Sequence, residues 1–438
     1  NPAAQHDKQL HFGTNPNNLT AVVSTVLPGP WRAHATDDEL RRSFIEHDFD
    51  DTAWLDINVP GHWAEQPKLA SRRSVLYRTT FSLPSDSGAI DSRHWLVFEG
   101  IWQSADVWLD GAYLGPTDGW FTPDQFDITD QIQANSSGEH VLAVEVMSQR
   151  PNVDEPTRNL NGIFDDPDIV GHQNRGGIWQ PVRVVSTGPV RMMKNRVVCQ
   201  EASATAATIH LRSHLVSNEP RSVTITTTLR PPGGAPPLVS SRDHDLASGA
   251  TVLEWDLSIA DPALWWPWQL GGQPLYRVTV SVEIAGSISG IWERTVGLRE
   301  VRMKNYVLSI NGERLFAKGA DLWPTTALPA VASAEQIAGD VARAKDLGLN
   351  LLRVESHVAR PELYEAADRA GMLLWQDLPM RGEVKRSIQS NAVNAAHRLV
   401  DKLGAHPSIV VWCAHYDPTG ASTGRQPLTV IPSRRSLF

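Results

Sequence analysis

The feature that most constrains this chain is a change of hydrophobic period near residue 298. Before it, apolar residues alternate with polar ones in short runs such as VLYRTTFSL, HWLVFEG, ADVWLDGAYLG and HVLAVEVMS. A period of two marks half-buried strands of antiparallel sheets. After it, LFAKGAD (315–321), LGLNLLRVE (347–355), GMLLWQDLP (371–379) and PSIVVWCAH (407–415) are near-continuous apolar runs, the pattern of parallel strands buried on both faces. Helical stripes separate them. Ser333 and Gln336 form a capping box ahead of a helix over 334–347, with Gly348 at its end. Pro361 opens a second helix over 361–369, which Gly371 closes. Val393, Ala396, Leu399, Val400 and Leu403 make a third stripe. Four βα repeats in order predict the opening half of a TIM (β/α)8 barrel, so the fold class is multidomain β plus α/β.

The chain has 438 residues, more than one core accommodates. An N-terminal extension over 1–23 precedes a β-sandwich over 24–186, a second β-sandwich with immunoglobulin-like strand spacing over 187–297, and the partial barrel over 298–438. Asp110-Gly111 reads as a two-residue hairpin turn, because the glycine accepts the positive φ such turns need. Residues 150–178 are rich in Pro, Asn and Gly and read as one long loop of the functional kind. PPGGAPP at 231–237 is a loop inside the second sandwich.

A net charge of −9, with no basic run longer than Arg434-Arg435, excludes nucleic acid as a partner. No run of 18 apolar residues and no signal-peptide pattern is present, so a soluble, cytoplasmic or secreted protein that does not engage a membrane is expected. Cys199 and Cys413 lie in different predicted domains and encode neither a disulfide framework nor a metal site. Sixteen tryptophans are many; most belong to cores, and the remainder could stack on sugar rings.

Several motifs, in order, resemble the family 2 glycoside hydrolases: VPGHW (59–63), LYRTTFSLP (76–84), FEGIWQSADVWLDGAYLG (98–115), GGIWQPV (176–182), LWWPWQLGGQPLY (264–276), GLREV (297–301) and INGERLFAKGAD (310–321). The likeness covers roughly residues 28–418. It implies a sugar-binding jelly roll as the first sandwich, an immunoglobulin-like second domain, and a catalytic barrel acting on β-linked sugars without cofactor or metal. LYEAADRAGMLLWQDLP (363–379) is most similar to the β-mannosidase-like branch. The same scaffold resembles enzymes of galactosides, glucuronides and glucosaminides.

Retaining glycosidases need two carboxyl groups about 5–5.5 Å apart. The resemblance implies an acid/base Glu preceded by Asn at the end of strand four and a nucleophilic Glu on strand seven. Here Asp417 and Tyr416 occupy the strand-four positions, and residues 315–438 supply only about half of the ~250 residues of such a barrel, without a strand seven. Asp withdraws the carboxyl by about one bond length, and a displacement near 1 Å can cost around 100-fold in rate; a polar residue ending a strand would also explain Asp417. Arg353 matches an arginine that orients the nucleophile, or else forms an ion pair. Asp377 is a ligand for a sugar hydroxyl or a structural carboxylate, and Glu355 stands where related sequences carry His. Asp321 and Trp323 offer a polar handle and a stacking face; His357 and His415 are candidate sugar contacts or ordinary hydrogen-bonded residues.

The tail after strand four shows no helical stripe. Without a fifth strand, the edge of strand four would stay unpaired and apolar, so 298–438 is expected to pack loosely unless a missing C-terminal half, an oligomer or another chain completes the barrel.

Overall fold

The computed structural model describes residues 23–416, apart from 84–90, 118, 136–137, 149–159, 167, 169–170, 172–173 and 382–387, together with the backbone of 429–430. Asp417 lies outside the described residues.

The first region pairs a six-stranded antiparallel sheet, in the order Leu55–Ile57, Trp31–Ala35, Ser74–Phe81, His140–Met147, Ser104–Leu109 and Ala112–Pro116, with a four-stranded sheet of Val23–Val26, Val182–Thr187, Arg93–Phe98 and Asp124–Asp127. Ala105, Val107 and Leu109 are fully buried between the sheets, while Ser104, Asp106 and Trp108 between them are not. That is the alternation of a sheet with one core face. Ser74–Phe81 loses it because Phe44 and Trp54 cover Leu76 on the outer face. Asp110 (φ 50°) and Gly111 (φ 78°) form the expected left-handed turn.

In the second region, Val190–Ala202, Ala206–Ser217 and Gly249–Ala260 form one sheet, and Leu238–Leu246, Arg221–Arg230, Tyr276–Ile284 and Ser287–Val296 form the other. Their facing residues, among them Ile209, Leu211, Val278 and Val280, make a core of their own.

Strand one of the βα region begins later than the sequence suggests. Glu313–Leu315 belongs to a small antiparallel sheet with Val301–Lys304 and Val307–Ile310. Four parallel strands follow in spatial and chain order: β1 (Gly319–Leu322), β2 (Leu351–Val354), β3 (Leu373–Asp377) and β4 (Ile409–Cys413). Helices α1 (Ala334–Asp346), α2 (Pro361–Ala370) and α3 (Gln389–Leu403) connect them. The Ser333/Gln336 capping box is present, and Gly371 takes the left-handed conformation that ends α2. Val393, expected on the buried stripe of α3, is half exposed; Leu399 and Leu403 carry the burial.

Two expectations about this sheet are corrected. β1 is not buried on both faces: Gly319, Ala320 and Asp321 are exposed, because β1 is the edge strand and pairs only with β2. β4 does not end on a bare edge, since the Thr429–Val430 backbone pairs antiparallel with Trp412 and Cys413, and Ile409, Val410 and Val411 are buried.

The described part of the polar 150–178 segment, expected as one long loop, is not all loop either. Gly162–Asp165 forms a 3₁₀ turn that buries Ile163 and Phe164 against the βα units. Trp102, Trp120, Phe121 and Trp179 of the first sandwich join the same cluster as Ile337, Val341, Leu363 and Leu399 of the three helices. Polar contacts line this seam. The Nδ1 of buried His62 donates to the Arg175 carbonyl, and its Nε2 accepts the Ala330 amide at 3.2 Å. Burial holds that imidazole neutral by pushing its pKa down to about 4. Arg398 donates to Asp124 at 2.8 Å and Lys402 to the Phe121 carbonyl at 2.7 Å. No described helix is long and apolar enough to cross a membrane.

Candidate functional site

In a parallel sheet, residues in register point to the same face. The ladder aligns Asp321 with Arg353, Arg353 with Trp375 and Trp375 with Val411. Two residues further toward the carboxyl ends of the same strands stand Trp323, Glu355, Asp377 and Cys413, the last two in register. Strand period alone therefore gathers Asp321, Trp323, Arg353, Glu355 and Asp377 at one end of one face.

Arg353 is the hub. Its Nε lies 3.1 Å from both carboxylate oxygens of Asp377 and its Nη2 lies 3.0 Å from Oδ2, a side-on fork. Asp377 is fully buried and also accepts the Ser356 amide at 3.2 Å. Burial pushes its carboxyl above the ordinary carboxylate range, against the pull of Arg353 and that amide. With its oxygens so engaged, Asp377 positions Arg353. The guanidinium carbon sits 4.9 Å from the Trp375 ring centroid and 4.7 Å from that of Tyr416. Arg381 approaches the Tyr416 ring at 5.5 Å and is held by Asp166 of the first sandwich at 2.7 Å. Tyr416 is tied by its amide to the Met380 carbonyl at 2.9 Å.

Glu355 is buried and accepts the Trp323 Nε1–H at 2.8 Å, while Trp323 keeps half of its surface open, with its edge fixed and the rest of the ring reachable. Asp321 is exposed at the sheet edge. His357 is drawn elsewhere. Its Nδ1 donates to the Glu355 carbonyl at 2.9 Å, its carbonyl accepts Gln376 at 2.7 Å, and Phe164 packs edge-on against its ring at 6.1 Å. Burial lowers its pKa to about 4, so the ring is neutral. His415 is half-buried beyond β4, where its carbonyl accepts the Cys413 thiol at 3.4 Å.

Sequence reasoning passed over Trp375, Arg381 and Asp166. Trp375 stands in the Trp-Gln-Asp motif, and its register with Arg353 was available as a signal. Arg381 and Asp166 lie 215 positions apart, and no local pattern marks their pairing. No group of three His, Cys, Asp or Glu side chains among the described residues is placed to hold a metal ion.

Residues 48–178 match the glycosyl hydrolase 2 galactose-binding domain-like model, and residues 195–299 match the glycosyl hydrolases family 2 model. The chain belongs to glycoside hydrolase family 2. Among similar proteins of known kind is an exo-β-D-glucosaminidase of Streptomyces avermitilis, 27% identical over 313 residues, covering 68% of this chain and 33% of the relative. A β-galactosidase of Psychromonas ingrahamii is 23% identical over 445 residues, covering 93% and 41%. Among solved structures, a β-D-mannosidase from Dictyoglomus thermophilum superposes with a TM-score of 0.73 at 22% identity, covering 89% of this chain and 52% of that one. That likeness shows a shared fold. The family 2 chain spans well under half the length of the curated relatives it matches.

Proposed function

We propose that this family 2 chain supplies the first half of a β-glycosidase site of the β-mannosidase-like type. On this reading the four βα units over 298–438 open a (β/α)8 barrel, behind a sugar-binding jelly roll over 24–186 and an immunoglobulin-like domain over 187–297. The observation that carries it is the alignment of Trp323, Glu355 and Asp377 beyond Asp321, Arg353 and Trp375 at the carboxyl ends of successive parallel strands. Barrel enzymes gather their reacting groups at that end. The open face of Trp323 suits the C–H face of a sugar ring, and Asp321 and Glu355 suit its hydroxyls.

The complete family form would hydrolyse with retention, using two carboxyl groups about 5–5.5 Å apart. Asp377 is occupied by Arg353, the acid/base position falls at Asp417, and the nucleophile belongs to a strand beyond β1–β4. The 438-residue chain alone is therefore read as binding sugar without turning it over. One observation favours a second reading, a non-catalytic carbohydrate-binding member: Tyr416 lies between two guanidinium groups, where its ring takes space that an asparagine would leave open. For the sugar itself, Glu355 is buried with Trp323 as its side-chain partner, a carboxylate that suits a protonated amino sugar as well as a mannoside.

The test is turnover of nitrophenyl β-mannoside, β-galactoside and β-glucosaminide by the purified 438-residue chain against a heat-denatured control. No turnover is expected, nor rescue by Asp417→Glu with Tyr416→Asn. Calorimetry should detect mannose or glucosamine binding that Trp323→Ala abolishes. Turnover would remove the half-site reading, and binding indifferent to Trp323 would remove the site.

A further inference from the structure

Where the first sandwich meets the second, far along the chain from the parallel strands, a cleft of about 140 Å³ opens between the start of strand Arg93–Phe98 and the turn before strand Arg221–Arg230. A single water needs roughly 10–15 Å³ by this measure, so the cleft has room for a small organic molecule. Arg93 forms part of its wall. That residue is more than nine-tenths buried, and although its Nη2 pairs with Asp127, its Nε and Nη1 have no hydrogen-bond acceptor. The Trp95 ring, 5.0 Å from the guanidinium, meets its charge but is only a weak acceptor for N–H. Opposite, Arg221 holds Glu219 at 3.2 Å and Asp91 at 3.5 Å through Nη2, and its buried Nε is likewise without an acceptor. These three nitrogens are closed to solvent, so an acceptor in the cleft reaches them only with a side-chain shift, which relief of the cost of buried unmet donors would favour.

The charges narrow the ligand. Asp91 and Glu219 border the cleft and Asp127 neutralises Arg93, so an anion would face carboxylates as well as guanidinium groups. A hydroxyl both accepts from an arginine N–H and donates to a carboxylate, and several hydroxyls on one rigid ring satisfy both walls at once. Asn218 and Gln133 add amides, which donate and accept, and Pro189 adds an apolar face.

We propose that this inter-sandwich cleft binds a neutral hexose unit, with Arg93 and Arg221 donating and Asp91 and Glu219 accepting. This ancillary saccharide site is independent of the one at the strand ends. The experiment titrates the full chain with methyl α-mannopyranoside, methyl β-glucopyranoside and inorganic phosphate by calorimetry, and maps the contact by hydrogen exchange. A neutral glycoside should bind and slow exchange at 91–93 and 218–221. Arg221→Ala should weaken binding about tenfold, the loss expected of one charge-assisted hydrogen bond. Asn218→Ala and Gln133→Ala, both at exposed positions where folding is not at stake, should weaken it less. Trp323→Ala, at the strand ends, should leave it unchanged, which separates this site from the proposed glycosidase site. Binding of phosphate in preference to the glycosides, protection confined to 351–354 and 373–377, or no binding by any probe would each overturn the proposal.

Discussion

In the second sandwich, Ile209, Leu211, Val278 and Val280 are buried by residues of the same two sheets, whereas Val354, Leu363 and Leu399 of the βα units share their cluster with Trp102, Trp120 and Phe164 of the first sandwich. One region closes its core almost wholly within its own sheets, with Ala405 the βα residue packed against it; the other borrows a layer. Two facing sheets each hide one face, so a sandwich needs nothing further. A parallel sheet with helices on one side leaves the outer surface of those helices apolar wherever another layer covers it, and here that cover is sequence more than 150 residues upstream. Stability in the βα region should therefore respond to changes in the first sandwich, and stability in the second sandwich should not.

The sharpest way to break this contrast is to empty the shared layer. Trp120→Ala or Phe164→Ala removes a fully buried ring, a change that costs about 3–5 kcal/mol. Amide exchange should accelerate across 351–354 and 409–413 while 276–284 keeps its protection. Equal acceleration in all three would mean that the second sandwich is not self-contained.

A weaker but more specific probe is pH. His62 holds its seam contacts only as the neutral ring, with a pKa near 4 in the folded state and about 6.5 unfolded. Because the folded value is depressed, the unfolded chain binds more protons in this window. The stabilisation is complete above pH 6.5 and is lost as pH falls toward 4, amounting to about 3 kcal/mol at most. Denaturant midpoints followed by exchange in the βα region should fall over that range, and His62→Gln should flatten the fall. A pH dependence undiminished in the variant would assign the effect to other groups, His357 first among them.

The smallest expected effect is local. Ser333→Ala removes the side-chain acceptor for the Gln336 amide at the start of α1 and should cost about 1 kcal/mol. The loss should appear as faster exchange in 334–341 without disturbing the sandwich face of the seam. Spread beyond α1 would show that the helix docks more cooperatively than its cap suggests.

These residues also mark what could be read from sequence. The Ser333/Gln336 box, the glycine ending α2 and the Asp110-Gly111 turn are set by a few neighbouring dihedrals and hydrogen bonds, so a local pattern sufficed. The candidate strand-end residues Asp321, Trp323, Arg353 and Asp377 followed from strand order and resemblance, because register in a parallel sheet carries positions along with it. The burial of Ile163 and Phe164 was hidden within a polar, proline-rich segment whose composition reads as loop. The exposure of β1 and the pairing of Thr429–Val430 with β4 depend on which edges find a neighbour, which apolar content does not specify. Arg381 and Asp166 were missed for the same reason: their partnership exists only once the seam has formed.

That seam has one point without slack. Gly162 has φ of +58°, and a Cβ there would lie 1.8 Å from the Ser356 carbonyl oxygen, the atom that accepts the Ile163 amide at 3.0 Å. Main chain meets main chain, so the spacing between the sandwich and the strand ends is set by atoms that every residue type shares. Side chains on either side of the seam can then be exchanged without altering its width. Position 162 itself is the exception: any residue but glycine there pushes the two sides apart and takes Asp166 away from Arg381.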